Sequence, residues 1–181
     1  MICVEAPATK TWRNGSKRPI RTRSAAAKGA ERLRARNWKA RGTLMKPGIA
    51  LTAIHPAVEA GVNNQDIDGL MALYAEDASM VLVDGSIVTG LPAIREEWSG
   101  ILAMNGHIAL RSRFAIAAGD LAVLSNEWTF EVGGEQISSV TAEVARRQPD
   151  GGWLYVIDNP YAGSEPDELA TIMAAMEAPA T

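Results

Sequence analysis

The chain has a single cysteine, Cys3, and only two histidines, His55 and His107, in 181 residues. One cysteine excludes an internal disulfide framework and a cysteine-bearing zinc site. Two histidines so far apart in sequence do not make a His-rich metal centre. No apolar run reaches the length of a membrane span. The basic N-terminus lacks the apolar segment of a secretory signal, so a cytoplasmic location is expected. A Gly-rich phosphate loop, a nucleophile elbow and metal-ligand spacing are also missing. Nothing in the sequence calls for a metal or a cofactor.

What is present is unevenly spread. The net charge of −3 conceals a split: residues 1–48 hold 13 of the 18 Lys and Arg against Glu5 and Glu31, and the rest of the chain holds 19 of the 21 Asp and Glu. Residues 1–48 have few large apolar side chains and cannot bury enough surface to offset the entropy of ordering. A largely disordered extension is expected there, with transient helix over 24–41. It reads as a nucleic-acid or membrane-surface arm through Trp12, Trp38 and its charge, as an organelle transit peptide, or as a passive tail with Met45 the truer start. The passive reading is preferred, and nucleic acid enters only through this segment.

Residues 49–163 carry the patterning of one domain, followed by a short helix and tail over 164–181. A first helix is expected over 51–64 on Ile54, Val58 and Val62, with His55-Pro56 disturbing its start and His55 facing solvent or capping. Asp66 caps the next helix, whose stripe is Ile67, Leu70, Met71 and Tyr74. Strand 79–83, a two-residue Asp84-Gly85 turn and strand 86–89 form a hairpin. Pro92 opens a third helix with Ile94, Trp98, Ile101 and Leu102 on its buried face. Three long strands follow over 107–116, 121–132 and 136–147, and a last one over 153–158. In the first of these Ile108, Leu110, Phe114 and Ile116 share a face while Arg111 and Arg113 alternate outward. Ser164 and Asp167 cap a C-terminal helix whose apolar stripe is Leu169, Ile172, Met173 and Met176.

The run ALYAEDASMVLVDGSIVTGLPAIREEW (72–98) resembles the signature of the NTF2-like, or SnoaL-like, superfamily and its DUF4440 group. RRQPDGGWLYVIDNPYA (146–162) is similar to that group's last hairpin and strand. The resemblance implies an α+β fold, an NTF2-like cone with three helices of the N-terminal half packed on a curved, mainly antiparallel sheet. It also implies a ligand in the mouth of the cone and a homodimer through the outer sheet face. Activity is not implied, because one fold hosts many chemistries. Ketosteroid isomerases resemble the chain too, but their carboxylate base falls on Leu82 and their helix-borne tyrosine on Val58, neither able to move a proton. Only their second acidic residue finds a counterpart, in Glu143. Ketosteroid isomerisation proper is therefore not expected.

The polar residues expected on the inner face are few. Asn126 precedes Trp128 and Phe130 by even steps, Glu143 lies on the neighbouring strand, and Asp158 falls in step with Leu154 and Val156. A carboxyl group in an apolar cavity has a raised pKa, as a general acid or base near neutrality requires. Asp158 and Glu143 are the catalytic candidates, one ionised and one protonated, with Asn126 orienting a substrate oxygen. Met80, Leu82, Trp98, Asn126, Trp128, Phe130 and Val156 are the expected substrate-binding wall. The plainer alternative for Asp158 is a structural one, tying down backbone N–H groups before Asn159-Pro160. His107 is a weaker candidate, as a proton shuttle. These residues point to a small-molecule pocket and, if catalytic, to cofactor-independent isomerase, cyclase or hydrolase chemistry on an apolar organic substrate. The competing reading is a non-catalytic ligand-binding or dimerisation module.

Overall fold

The computed structural model describes residues 46–177. The basic extension lies outside the described residues save for 46–48, as does the tail 178–181. A 3₁₀ turn, Leu51–Ala53, runs directly into helix α1, Ile54–Asn63. His55-Pro56 does not delay the helix, because Pro56 falls within its first turn, where the missing N–H costs nothing. Asp66 caps α2, Ile67–Met71, by accepting the Gly69 N–H at 2.8 Å. That helix ends a turn sooner than its stripe suggested, and Tyr74 opens a strand instead.

Seven strands follow in one sheet: β1 Tyr74–Val81, β2 Ile87–Thr89, β3 His107–Ala118, β4 Leu121–Val132, β5 Glu135–Val140, β6 Ala142–Arg147 and β7 Trp153–Asn159. Helix α3, Leu91–Ala103, sits between β2 and β3, and α4, Pro166–Glu177, closes the described chain. The strand order is β2-β1-β7-β6-β4-β3, with β5 pairing β4 as well. Every pairing is antiparallel except β1 with β7. The fold is the α+β cone that the resemblance implied, with helices packed on a curved, mixed sheet. No helix among the described residues is long and apolar enough to cross a membrane.

Three local features depart from the periodicity. The β1–β2 hairpin closes through Leu82 N–H to Ser86 O and Gly85 N–H to Leu82 O. Within the loop only Gly85 has positive φ, 80°. The connection is thus a three-residue loop with glycine in the left-handed position, and Asp84 instead accepts the Ser86 N–H at 2.8 Å. The expected strand 136–147 is interrupted at Thr141, whose hydroxyl and backbone bond to Asn126 and Ser125 of β4. Lastly, β3 bulges between Ser112 and Phe114, and the faces exchange beyond that point. Phe114 and Ile116, expected to face inward with Ile108, turn outward and are 43% and 63% exposed.

The core lies between the helices and the concave face. Ile54, Val58 and Val62 of α1, Leu70 of α2, and Ile94, Trp98 and Leu102 of α3 meet Met80, Leu124, Trp128 and Tyr155 of the sheet. Helix α4 buries Ile172 and Ala175. The apolar stripe of α4 therefore packs on its own domain. The reciprocal cap at its start is Glu165 N–H to Glu168 Oε2 at 2.9 Å, one position beyond the expected Ser164–Asp167 pair.

Candidate functional site

A cavity opens between the concave face of the sheet and α1, α3 and α4. Most of its wall is apolar: Val58, Met80, Trp98, Ile101, Met104, Ile108, Leu110, Trp128, Phe130, Ile137 and Met176 among others. Asn126, Thr141, Glu143 and Asp158 interrupt that wall, and Glu97 is also part of the lining. Of the expected binding wall, Met80, Trp98, Asn126, Trp128 and Phe130 line the cavity, but Leu82 and Val156 do not. Strand β1 ends at Val81, which takes its place on the wall, and Leu82 goes into the hairpin loop. Val156 is displaced by a register shift: Val144 pairs Ile157 but Ala145 pairs Tyr155, leaving Val156 as the extra residue. Tyr155, not Val156, then shares the inner face with Asp158.

The two carboxyl groups are direct cross-strand partners, Glu143 of β6 against Asp158 of β7. Both are buried, 3% and 5% exposed, yet their surroundings differ. Glu143 accepts from Asn126 Nδ2 at 2.8 Å and from Tyr155 Oη at 3.2 Å through Oε1, while His55 Nε2 lies 3.0 Å from Oε2. His55 Nδ1 is 2.7 Å from Ser112 Oγ. Three side chains converge on this one group, and its two oxygens have the acceptor capacity for all of them at once. The imidazole serves in this role as an imidazolium or as its Nε2–H tautomer.

Asp158 has one partner among the described residues. Tyr74 Oη donates to Oδ2 at 2.5 Å and accepts from Trp98 Nε1 at 3.1 Å. Burial and the neighbouring Glu143 raise the Asp158 pKa to about 7, against a lowering pull from Tyr74 and His55. Burial likewise holds the Tyr74 and Tyr155 phenols well above their ordinary range, so both stay protonated donors at neutral pH. One acid is therefore pinned by its donors and the other is poised to gain or lose a proton near pH 7. The structural alternative for Asp158, capping the turn before Pro160, is not seen: that turn is tied by Asn159 Oδ1 accepting the Tyr161 N–H at 3.1 Å.

His55, expected at the surface, is 4% exposed and bonded to Glu143, a correction that follows from its place in α1. Its spacing from Val58 and Val62 put it on the buried stripe, a signal that the adjacent proline masked. Tyr74, read as core on a helical stripe, is a strand residue holding Asp158. Tyr155 carries no sequence signal of this role, because the bulge at Val156 hides its parity. His107 is exposed, in register with Glu131 on β3 and β4, and is not part of the cavity lining.

A model of the SnoaL-like domain matches residues 55–156, more than half of the chain. The chain belongs to the SnoaL-like domain family. No curated protein matches it significantly. Among solved structures, this SnoaL-like chain is similar to an NTF2-like protein of unknown function from Pseudomonas putida KT2440, at 21% identity and a TM-score of 0.54, over 64% of this chain and 86% of that one. It is similar to an NTF-2 like protein of unknown function from Shewanella oneidensis MR-1, at 14% identity and a TM-score of 0.54, over 60% and 93%. A ketosteroid isomerase-like protein from Erwinia carotovora atroseptica SCRI1043 shares 16% identity at a TM-score of 0.51, over 61% and 91%. These likenesses establish the NTF2-like fold of the SnoaL-like domain and leave its chemistry to its own residues.

Proposed function

We propose that this SnoaL-like domain binds a small, apolar organic molecule and acts on it by cofactor-independent acid–base chemistry, with Asp158 as the proton carrier. The observation that carries the reading is the contrast within one buried pair. Asp158, with a single hydrogen-bond partner and a pKa of about 7, faces an apolar cavity, beside a Glu143 saturated with donors. Glu143 is the held member of the pair: it helps to raise the Asp158 pKa, and Asn126, Tyr155 and His55 fix its position. An isomerisation, cyclisation or hydration needs a group of this kind to take a proton from one atom and return it to another. Trp98, Trp128 and Phe130 supply the water-excluding wall.

The test begins with a thermal-shift screen of small apolar metabolites against the full chain, followed by assay of each ligand for conversion. Asp158→Asn should slow conversion by at least about 100-fold, typical for loss of an acid–base group, while ligand affinity is retained. Wild-type turnover in that variant refutes the assignment. If every ligand bound is returned unchanged, the domain is a binding module, the alternative the same pocket supports.

We also propose that two copies pair through the convex sheet face, in a cytoplasmic setting. Ile116, Val123, Val144 and Ile157 are matched residue to residue across β3, β4, β6 and β7 and form an apolar row on that face. Phe114 and Leu121 widen it, and five of these six side chains are at least 43% exposed. A row crossing the sheet is complementary to itself under a two-fold axis, the commonest symmetry of oligomers, and a monomer seldom leaves such a patch in water. Sedimentation velocity should give a dimer.

A further inference from the structure

One polar atom in the cavity wall has no protein partner. Among the described residues, Asn126 Oδ1 is the buried side-chain atom that makes no hydrogen bond. The remainder of the residue is fully engaged. Its Nδ2 donates to Glu143 Oε1 at 2.8 Å, its backbone N–H to Thr141 Oγ1 at 2.8 Å, and its backbone carbonyl accepts the Thr141 N–H at 2.9 Å. The orientation of the amide is set by its partner. Turning it over would bring Oδ1 against Glu143 Oε1, which already accepts from Tyr155 Oη, and the Nδ2 hydrogen bond would be lost. The side chain is 1% exposed and belongs to the cavity lining, on the same face as Trp128 and Phe130. The acceptor is thus fixed in place and buried, in a residue that lines the cavity.

An acceptor of this kind discriminates. A ligand group with an O–H or N–H recovers the cost of the orphaned oxygen, whereas a ligand carbonyl or ether oxygen sets lone pair against lone pair. We infer that the natural ligand of this cavity is an apolar molecule bearing a hydroxyl or N–H donor, and that Asn126 Oδ1 accepts its hydrogen bond. The inference rests on the pocket reading above and narrows it to a substrate class: small apolar alcohols, phenols or N–H compounds, rather than hydrocarbons, ethers or simple ketones. It reverses the part first expected of Asn126, which orients a donor on the substrate through its oxygen while its nitrogen is spent on Glu143.

The experiment uses the full chain and two probes of nearly equal size, 2-naphthol and 2-methoxynaphthalene, titrated calorimetrically against the wild type, Asn126→Leu and Asp158→Asn. The wild type should bind the naphthol at least about tenfold more tightly than its methyl ether, the range expected for satisfying one buried acceptor. That ratio should fall to about twofold or less in Asn126→Leu and persist in Asp158→Asn. Asn126→Ala takes the place of the leucine variant should the latter fail to fold. Equal affinity of the two probes for the wild type overturns the inference, as does a preference that survives in the Asn126 variant. A preference lost in Asp158→Asn but kept in Asn126→Leu assigns the hydroxyl to Asp158 and overturns this inference alone, leaving the acid–base proposal standing. Failure of both probes to bind at about millimolar concentration, a free energy weaker than about −4 kcal/mol, removes the pocket reading itself.

Discussion

Each face of this sheet carries a few residues that are unusual for their setting. The concave face, shielded by helices, carries Asn126, Glu143 and Asp158, each no more than 5% exposed; the convex face carries Phe114, Ile116, Leu121, Val123 and Ile157, each at least 43% exposed. Buried acids and exposed aliphatics both cost free energy, and a fold retains them where something else meets them. On the inside the structure answers part of that cost itself, through three donors to Glu143 and one to Asp158. On the outside it answers none of it. The comparison teaches that the inner face meets most of its own polar requirement and leaves one acceptor, Asn126 Oδ1, without a protein partner, while the outer face leaves a row of apolar side chains exposed.

The sharpest way to break the comparison is to remove the saturated acid. Glu143→Ala leaves His55, Asn126 and Tyr155 without their shared acceptor, and should lower stability in urea unfolding by about 3–5 kcal/mol. Glu143→Gln, which keeps an acceptor oxygen, should lose clearly less. If both variants unfold at the wild-type midpoint, the donors have other partners and the contrast between the acids is void.

Asp158→Asn tests the other member and should act in the opposite sense. The folded pKa of about 7 stands above the ordinary value of 3.8, so the folded state binds the extra proton. Stability attributable to this group is then full below about pH 4 and is lost as pH rises through 7. The asparagine variant should gain on the wild type by about 1–3 kcal/mol at pH 8 and by little at pH 4, an unpaired buried charge being the quantity removed. A gain independent of pH would show that Asp158 does not titrate in this range.

Tyr74→Phe should be milder, about 1 kcal/mol, the net worth of a buried hydrogen bond. It also removes the donor that pulls the Asp158 pKa down, so the carboxyl titration followed by infrared or NMR should move to higher pH. On the convex face, Val123→Lys should change the unfolding free energy of the isolated subunit by less than about 0.5 kcal/mol and yet shift sedimentation from dimer to monomer. A monomeric wild type would leave the exposed row without the partner proposed for it.

Much of this fold was legible because its signals are local. The Asp66 cap, the Gly85 turn, Pro92 in a first helical turn and the alternation of Trp128 and Phe130 each follow from one or two residues and their neighbours. The site was half legible. Glu143, Asp158 and Asn126 stood out as polar residues on apolar strands, where period-two counting works. Val156, Phe114 and Ile116 depart from that counting because two bulges, at Val156 and at Arg113, each add a residue and flip every side chain beyond it. Nothing in the residues themselves announces a bulge; it is set by the bending of one strand against the next.

The sequence alone determined the order of helices and strands, the family resemblance, and the presence of two acids in an apolar setting, since those depend on periodicity and capping within a few residues. Tertiary structure decided which acid is pinned and which is free, through His55, Tyr74 and Tyr155, whose contacts with the two carboxyls span 12 to 88 positions of the chain. A proton's affinity for a carboxyl depends on the charges and donors packed around it in space, and neighbours that distant come together only when the sheet curls.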